Sequence, residues 1–323
     1  MMKEKKETPF PPGVLPTIAA GFELVSKQLW LLVIPVALDA FLWLGMRLGA
    51  QVFMDEMITF WQQENALIAI PQEMIDEFVL LATRTNVFAA LSVPLIGVPT
   101  FMAGITPEKT PISTAVLELG SVPIVILFVL MLSVLGVFLT AVYYNLIAHA
   151  LRGTMDPDAQ MPIPALIARV GQSWLMLLLL GIVLFLILLI LYIPLMLLAT
   201  VFAAISPVLG GVIAVFAPVV MIFAIIQFIF VPHALILHGR PLANGMIESS
   251  LIIRKNLMAT INLFFTLVLI NYLMNSLLLW ADDGSWLTAA SIVGHAFVST
   301  GLVTAVFIFY HDRFTLLDVP QEA

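Results

Sequence analysis

The chain has 323 residues, of which 62% are hydrophobic and 10% are charged, and its mean hydropathy is +1.10. A soluble domain is nearer half apolar and a quarter charged, so this composition indicates an integral membrane protein. A net charge of −7 with 13 lysines and arginines argues against a nucleic-acid partner. The lack of cysteine excludes disulfides, thiolate metal sites and cysteine nucleophiles.

The N-terminal residues 1–28 are predicted to form a cytoplasmic tail followed by an amphipathic helix in the membrane interface. The first apolar run begins only at Leu29 and continues for about 20 residues, longer than the apolar core of a typical signal peptide. We interpret this run as an uncleaved signal anchor.

Six segments are long and apolar enough to cross a bilayer. A crossing segment is helical because lipid offers the backbone no hydrogen-bond partner, and a helix needs about 20 residues to cover the hydrocarbon thickness. The predicted spans are residues 29–49, 122–146, 175–205, 211–237, 257–280 and 286–310. The predicted fold is therefore all-α, a polytopic protein with its membrane domain at 29–310 and a cytoplasmic tail at 311–323.

The segment 50–121 is predicted to lie outside the cytoplasm, with acidic helical stretches at 53–64 and 72–84 that cap the outer face. Within it, residues 87–104 are a seventh apolar candidate, interrupted by Pro94, Gly97 and Pro99. Prolines and glycines at these positions do not favour a continuous spanning helix.

Charge distribution selects the orientation, because lysine and arginine concentrate on the cytoplasmic side of a membrane protein. With six spans and the N-terminus inside, ten cations lie inside and three lie outside, namely Arg47, Arg84 and Lys109. If residues 87–104 also crossed, the balance would become five inside against eight outside. The sequence therefore predicts six spans with both termini in the cytoplasm, in the plasma membrane of a bacterium.

The six spans group as three hairpins, and a short amphipathic stretch precedes each odd-numbered span. Gln28, Gln172 and Asn256 stand just before the first, third and fifth apolar runs. The even spans each end with a histidine shortly before an arginine. This pattern predicts a threefold repeat of interfacial helix, span, turn and span, as transporters and duplicated membrane scaffolds both have.

The sequence VPHALILHGRPLANGMIESSLIIRKNLMATINLF resembles a membrane domain found in some glycerophosphoryl diester phosphodiesterases and related bacterial families. The matching positions are Pro232, Ala234, Gly239, Ser249 and Asn256, over about 35 residues. In those enzymes the chemistry belongs to a separate soluble barrel, and no segment of this chain is suited to form one. The resemblance implies a multi-pass architecture and not a phosphodiesterase activity.

Asp39 is the main functional candidate, because it lies near the middle of the first span and a charge at that depth costs roughly 3 kcal/mol. It could carry a proton or a cation, or it could accept a hydrogen bond from a neighbouring span.

Spans five and six carry polar residues at helical spacing: Asn271 and Asn275, and Ser291, His295 and Ser299. Counting from the intervening turn places Asn271 level with His295, and Asn275 level with Ser291. We expect hydrogen bonds between these helices, with a polar pathway as the alternative.

Four histidines, at 149, 233, 238 and 311, fall near the cytoplasmic ends of even spans. Imidazoles gathered there could bind a metal or respond to pH, although an interfacial histidine beside a snorkelling arginine is the simpler interpretation. His233 and His238 are five apart and do not share a helix face, so no metal or cofactor site is predicted.

The sequence contains no Walker loop, dinucleotide turn, HExxH or GxSxG motif, so no enzyme is predicted. The first hypothesis is a non-enzymatic scaffold or accessory component of the cell envelope, whose partners are the lipid bilayer and an unidentified protein. The second is a small-molecule or ion transporter that uses Asp39 and the polar faces of spans five and six. The third, a membrane-embedded lipid enzyme, lacks a carboxylate pair.

Overall fold

The computed structural model describes residues 11–64, 84–94, 96–104, 109–155, 161–278, 280 and 284–317, and the single residues 73, 76, 77 and 79. These residues are mostly helical. The helices are α1 Val14–Lys27, α2 Val33–Leu44, α3 Gln51–Glu64, α4 Val122–Met155, α5 Ile163–Ile205, α6 Pro207–Ile226, α7 Val231–His238, α8 Leu242–Lys255, α9 Leu257–Leu278 and α10 Leu287–Leu317. Two 3-10 helices, Leu29–Leu32 and Val87–Leu91, and two strands, β1 Arg47–Gly49 and β2 Val116–Glu118, complete the described elements.

Five helical segments of the described chain are long and apolar enough to cross a membrane: α4, α5, α6 together with α7, α9 and α10. A sixth arises if α1 and the following stretch up to Leu44 count as one span, bent by 94°. The most apolar windows of α5 and of α6 with α7 are only 11% and 6% buried. Such exposed apolar surface needs lipid around it. The chain is therefore a membrane protein with five or six long apolar helices.

Some predicted boundaries differ from the observed ones. The first span was expected to reach Gly49, but α2 ends at Leu44 and residues 47–49 form β1. The amphipathic stretch before the third span is not a separate helix, because α5 runs unbroken for 43 residues, about 65 Å at the α-helical rise. The predicted helix at 53–64 is part of α3, whereas the tail 1–10, most of the stretch 72–84, the turn residues 281–283 and the end of the C-terminal tail lie outside the described residues.

The predicted fourth span consists of two helices, α6 and α7, separated by a turn at residues 227–230. Ser249 of α8 bonds to this turn: its hydroxyl accepts from the Phe230 amide at 3.2 Å and donates to the Gln227 carbonyl at 2.8 Å. A break in an apolar helix leaves backbone groups unpaired, and a buried serine can satisfy them. Pro232 in the first turn of α7 and left-handed Gly239 after its end fix the limits of this short helix.

Two of the three residues that mark the predicted repeat occupy the same kind of break. Gln28, between α1 and the first apolar stretch, has φ −131° and ψ 54°. Asn256, between α8 and α9, has φ −127° and ψ 35°. Gln172 instead lies within the unbroken α5. The helix–break–apolar helix arrangement is therefore present at the first and third expected positions and absent at the second.

The chain divides into two compact units: unit I comprises residues 22–147 and 267–303, and unit II comprises residues 1–21, 148–266 and 304–323. Unit I holds the two strands, which pair in parallel with Arg47 opposite Val116 and Gly49 opposite Glu118. Neither strand is predicted from the sequence. A Cβ at Gly49 would meet the carboxylate of Glu118, so the glutamate side chain lies directly against the glycine in this pairing.

Unit II has an aromatic core around α7 and the C-terminal part of α10. The ring of Phe230 stacks on Phe309 with a centroid distance of 5.6 Å, and the ring of His233 meets Phe307 edge-on at 4.5 Å. Tyr310 is fully buried in the same cluster. Because aromatic side chains bury large areas with defined ring geometry, this cluster fixes α7 against α10.

Candidate functional site

Asp39 is completely buried in α2, where its carboxylate binds two backbone amides. The amide of Phe101 donates to one carboxylate oxygen at 3.0 Å, and the amide of Met102 donates to the other at 2.8 Å. Both oxygens therefore act as acceptors, as those of an ionised carboxylate do. Hydrogen bonds with a charged acceptor are about twice as strong as neutral ones, which offsets part of the cost of burying the charge.

Phe101 and Met102 belong to the segment 84–104, which we call the inserted segment because it reaches the middle of two helices. At one end of it, the carbonyl oxygen of Leu91 would lie 2.4 Å from a Cβ at Gly136, about 21 Å along α4 from its start. At the other end, Asp39 is five residues before the end of α2. Buried non-helical backbone requires polar partners inside the protein, and Asp39 supplies two of them.

The inserted segment contains the seventh apolar candidate, residues 87–104, and it is not a spanning helix. Its described part consists of the 3-10 helix Val87–Leu91 followed by turns and extended backbone. This agrees with the prediction that residues 87–104 do not cross as a helix. The expectation that the segment 50–121 caps the outer face stays a prediction; within it, Leu91 of the inserted segment lies against Gly136 near the middle of α4.

His295 faces Asp39 from α10. Its Nδ1 lies 3.9 Å from a carboxylate oxygen of Asp39, too far for a hydrogen bond, and has no hydrogen-bond partner among the described residues. The imidazole packs on the ring of Phe101 with a centroid distance of 5.4 Å. The carboxylate, the imidazole and the inserted segment thus form one buried site in unit I, and we call it the Asp39 site.

The serines predicted to line α10 bond to backbone carbonyls. The Ser299 hydroxyl donates to the carbonyl of His295 at 2.6 Å within α10, and the Ser291 hydroxyl donates to Leu278 of α9 at 3.1 Å. The expected bond between the two helices is therefore made, with a backbone partner instead of Asn275. In the described part of the chain, Asn271 and Asn275 make no side-chain hydrogen bond to α10, and Oδ1 of Asn275 is buried without a partner.

Sequence reasoning missed two polar residues that hold the Asp39 site in place. Asn86 is buried and accepts hydrogen bonds from the amides of Phe88 and Leu48, both at 3.2 Å, so it joins the inserted segment to β1. An asparagine before an apolar run is a helix-capping signal that could have identified it. The Tyr143 hydroxyl donates to Thr300 at 2.9 Å and links α4 to α10. No local feature of the sequence indicates that Tyr143 and Thr300 form a pair.

The four histidines predicted near the cytoplasmic ends of the even spans are only partly brought together. In unit II, the rings of His238 and His311 stack with a centroid distance of 5.7 Å, and His238 also stacks on Phe314 at 4.2 Å. His233 packs instead in the aromatic core. Among the described residues, no group of three or more potential ligands could hold a metal ion.

No family model, curated protein or solved structure matches this chain. Four of the five positions on which the resemblance rests, Pro232, Gly239, Ser249 and Asn256, lie at the helix ends and breaks described above. The fifth, Ala234 of α7, faces Gly245 of α8, where an added Cβ would lie 3.4 Å from it.

The second arrangement that sequence reasoning missed is a pair of arginines at the end of α7. Arg152 of α4 donates to the carbonyl oxygen of Ile236 at 3.0 Å, and Arg169 of α5 donates to the same oxygen at 2.7 Å. Arg169 also donates to Leu237 at 3.3 Å. Two guanidinium groups thus bind the otherwise unpaired carbonyls at the negative end of this helix.

Proposed function

We propose that this chain is a non-enzymatic integral membrane protein that serves as a scaffold or accessory component of the bacterial cell envelope. In this proposal it has six spans, lies in the inner membrane and keeps both termini in the cytoplasm. The observation that carries the proposal is that both carboxylate oxygens of Asp39 accept hydrogen bonds from backbone amides of the inserted segment.

A carboxylate that couples transport must exchange its ligands during the cycle. Asp39 is fully buried, and releasing its bonds would leave two amides unpaired in an apolar surrounding, at a cost of about 1–3 kcal/mol for each. Neither of the two cavities that we describe in units I and II is lined by Asp39. The unit I cavity, of about 410 Å³, is lined mainly by apolar side chains of α3, α4 and the inserted segment. These features favour a structural role for the carboxylate.

The bent pair supports the proposed six-span topology if it is counted as one span. The apolar stretch from Leu29 to Leu44 has 16 residues, fewer than the roughly 20 that a straight span needs. In this proposal the inserted segment, which binds Asp39 near the middle of α2, fills the space beside the short helix. The excess of lysine and arginine in the two tails and in the second and fourth loops supports cytoplasmic termini.

A second function, ion or proton transport, is favoured by one observation. His295 Nδ1 is buried 3.9 Å from the Asp39 carboxylate without a hydrogen-bond partner in the described structure, and such a pair could relay a proton if water entered. This arrangement makes Asp39 and His295 the coupling residues of the alternative.

A liposome flux assay separates the two functions. Purified protein and the Asp39→Asn variant are reconstituted and tested for proton, Na⁺ and K⁺ flux, and the protein is separately purified from membranes in mild detergent to look for a partner. The scaffold proposal expects no flux from either protein and a partner that remains bound. Flux from the parent that disappears in Asp39→Asn would contradict it and support the transporter.

The topology has its own test, because the cysteine-free chain accepts single cysteines. Ser113→Cys and Thr315→Cys place thiols at exposed positions on the predicted outer and inner sides. In intact cells, an impermeant maleimide should label the first and not the second. Labelling of both, or of Thr315→Cys alone, would contradict the orientation.

A further inference from the structure

Unit II contains a cavity of about 150 Å³ beside the end of α7, and its polar lining consists of hydrogen-bond donors and amphoteric groups without a carboxylate. Arg169, Gln172 and Ser173 contribute from α5, and Arg240 contributes from the residues after α7. Met176 and Leu235 form an apolar side. Among the described residues, the side chains of Gln172 and Ser173 make no hydrogen bond, although Ser173 is only 4% exposed.

The surroundings of this cavity carry more positive than negative charge. The guanidinium groups of Arg152 and Arg169 both donate to the carbonyl oxygen of Ile236, at 3.0 Å and 2.7 Å. The distance between the two donating nitrogens is therefore no greater than these two bond lengths added together. Arg240 forms an ion pair with Glu248 at 2.8 Å, and the Tyr310 hydroxyl also donates to that carboxylate at 3.2 Å. Among the described residues of this region, three arginines thus meet one carboxylate, and the end of α7 supplies only about half a negative charge more. Like charges held this close in a half-buried place favour an anion between them.

The position of Arg169 is fixed before any ligand arrives. Its guanidinium donates to Ile236 through Nε at 3.2 Å as well as through Nη2, which holds the plane of the group. Gly239 has φ +64°, and a Cβ there would lie 3.3 Å from the Arg169 guanidinium, so glycine leaves room for this approach. A preorganised guanidinium loses less freedom on binding than a mobile one.

We propose that this cavity binds a phosphate group, carried by the headgroup of an anionic phospholipid or by a soluble phosphate ester. The Nη1 group of Arg169 is not used by the bonds to Ile236 and Leu237 and would donate to a phosphate oxygen. The guanidinium of Arg240 would add positive charge, and the amide of Gln172 and the hydroxyl of Ser173 would add neutral donors. An engineered cavity of about 150 Å³ holds benzene, so this one has room for a phosphate. Basic pockets between helices near the cytoplasmic side are typical sites for anionic headgroups, and Met176 and Leu235 would contact the glycerol and acyl carbons of a lipid.

The test measures thermal unfolding of the full chain in mild detergent with four additions: phosphatidylglycerol, phosphatidylcholine, inorganic phosphate, and sodium chloride at matched ionic strength. Three variants accompany the parent. Arg169→Gln removes the central charge. Ser173→Val replaces the hydroxyl donor by methyl groups without touching an ion pair or a helix end. Arg254→Gln is the control, because it removes an exposed cation of α8 outside the cavity. Ser173→Val keeps the test decisive if Arg169→Gln fails to fold.

The proposal expects phosphatidylglycerol to raise the unfolding midpoint more than phosphatidylcholine, or phosphate to raise it more than chloride. The first result identifies a lipid as the source of the phosphate, and the second identifies a soluble ester. In either case Arg169→Gln and Ser173→Val should weaken the apparent affinity by about tenfold or more, while Arg254→Gln leaves it unchanged. Equal effects of phosphatidylglycerol and phosphatidylcholine together with equal effects of phosphate and chloride would overturn the proposal, as would a loss in Arg254→Gln as large as in Arg169→Gln.

Discussion

Replacing Asp39 should release the inserted segment without unfolding the helices around it. In Asp39→Asn, the amide oxygen can still accept from one of the two amides of Phe101 and Met102, but the new NH₂ group faces the other donor. One bond to a charged acceptor is lost and one buried amide is left unpaired, which together cost about 2 kcal/mol. Asp39→Ala removes both acceptors and should cost about twice as much.

Hydrogen exchange reports this change where it occurs. If opening of the inserted segment becomes easier by about 2 kcal/mol, the amides of Phe101 and Met102 should exchange about 30 times faster in Asp39→Asn. Peptides covering residues 98–104 are followed by mass spectrometry in detergent or nanodiscs. Asp55→Asn is the matched control, because Asp55 is exposed on α3 in the same unit.

The reasoning would be refuted if exchange in residues 98–104 stayed within about threefold of the parent in Asp39→Ala. It would also be refuted if α4 and α10 lost protection to the same extent, since that result would make Asp39 a determinant of the whole fold and not a clamp on one segment.

Three further substitutions test contacts by thermal unfolding of the purified protein. Gly136→Ala places a Cβ 2.4 Å from the carbonyl oxygen of Leu91 and should destabilise by about 1–3 kcal/mol, whereas Gly181→Ala meets open space; equal midpoints for the two would contradict the packing of the inserted segment on α4. Tyr143→Phe loses the buried bond to Thr300 and should cost about 0.6–1.7 kcal/mol, and an unchanged midpoint would show that the bond contributes nothing. Gly239→Ala forces a side chain into the left-handed region and should cost about 1–2 kcal/mol, against no loss for Gly171→Ala in open space; the reverse order would argue against the end assigned to α7.

Apolar length was the part of the fold that the sequence could predict. Runs such as those of α4 and α9 are long, continuous and bounded by charges or turns, so their helical character needs no tertiary information. The turn between α5 and α6 was also expected, because Ser206 and Pro207 stop one helix and start the next.

The partners of Asp39 could not be read from the sequence. Phe101 and Met102 offer backbone amides, and every residue except proline offers one, so no letter marks them. They are also 62 and 63 residues away in a segment without helical or strand periodicity. The spacing of polar residues on α10 did place His295 and Ser299 on one face, but it could not show that α2 and the inserted segment face them.

The differences among the three repeat positions have a local reason. Gln28 and Asn256 adopt non-helical backbone angles that end one helix and begin another. Gln172 has no break beside it, so the amphipathic and apolar stretches continue as one helix. A glutamine or asparagine before the apolar run therefore marked a break between two helices at the first and third positions. The same prediction was wrong at Gln172, where the helix continues.

The most direct test of the central claim asks whether water reaches the Asp39 site. Ser299→Cys is nearly isosteric, lies one turn from His295 and introduces a single thiol into a cysteine-free chain. In liposomes, with Ser113→Cys as the exposed control, a small water-soluble thiol reagent should leave Ser299→Cys unmodified under conditions that modify the control completely. Modification of both at similar rates would mean that water enters beside Asp39, and would contradict the sealed, structural site described above.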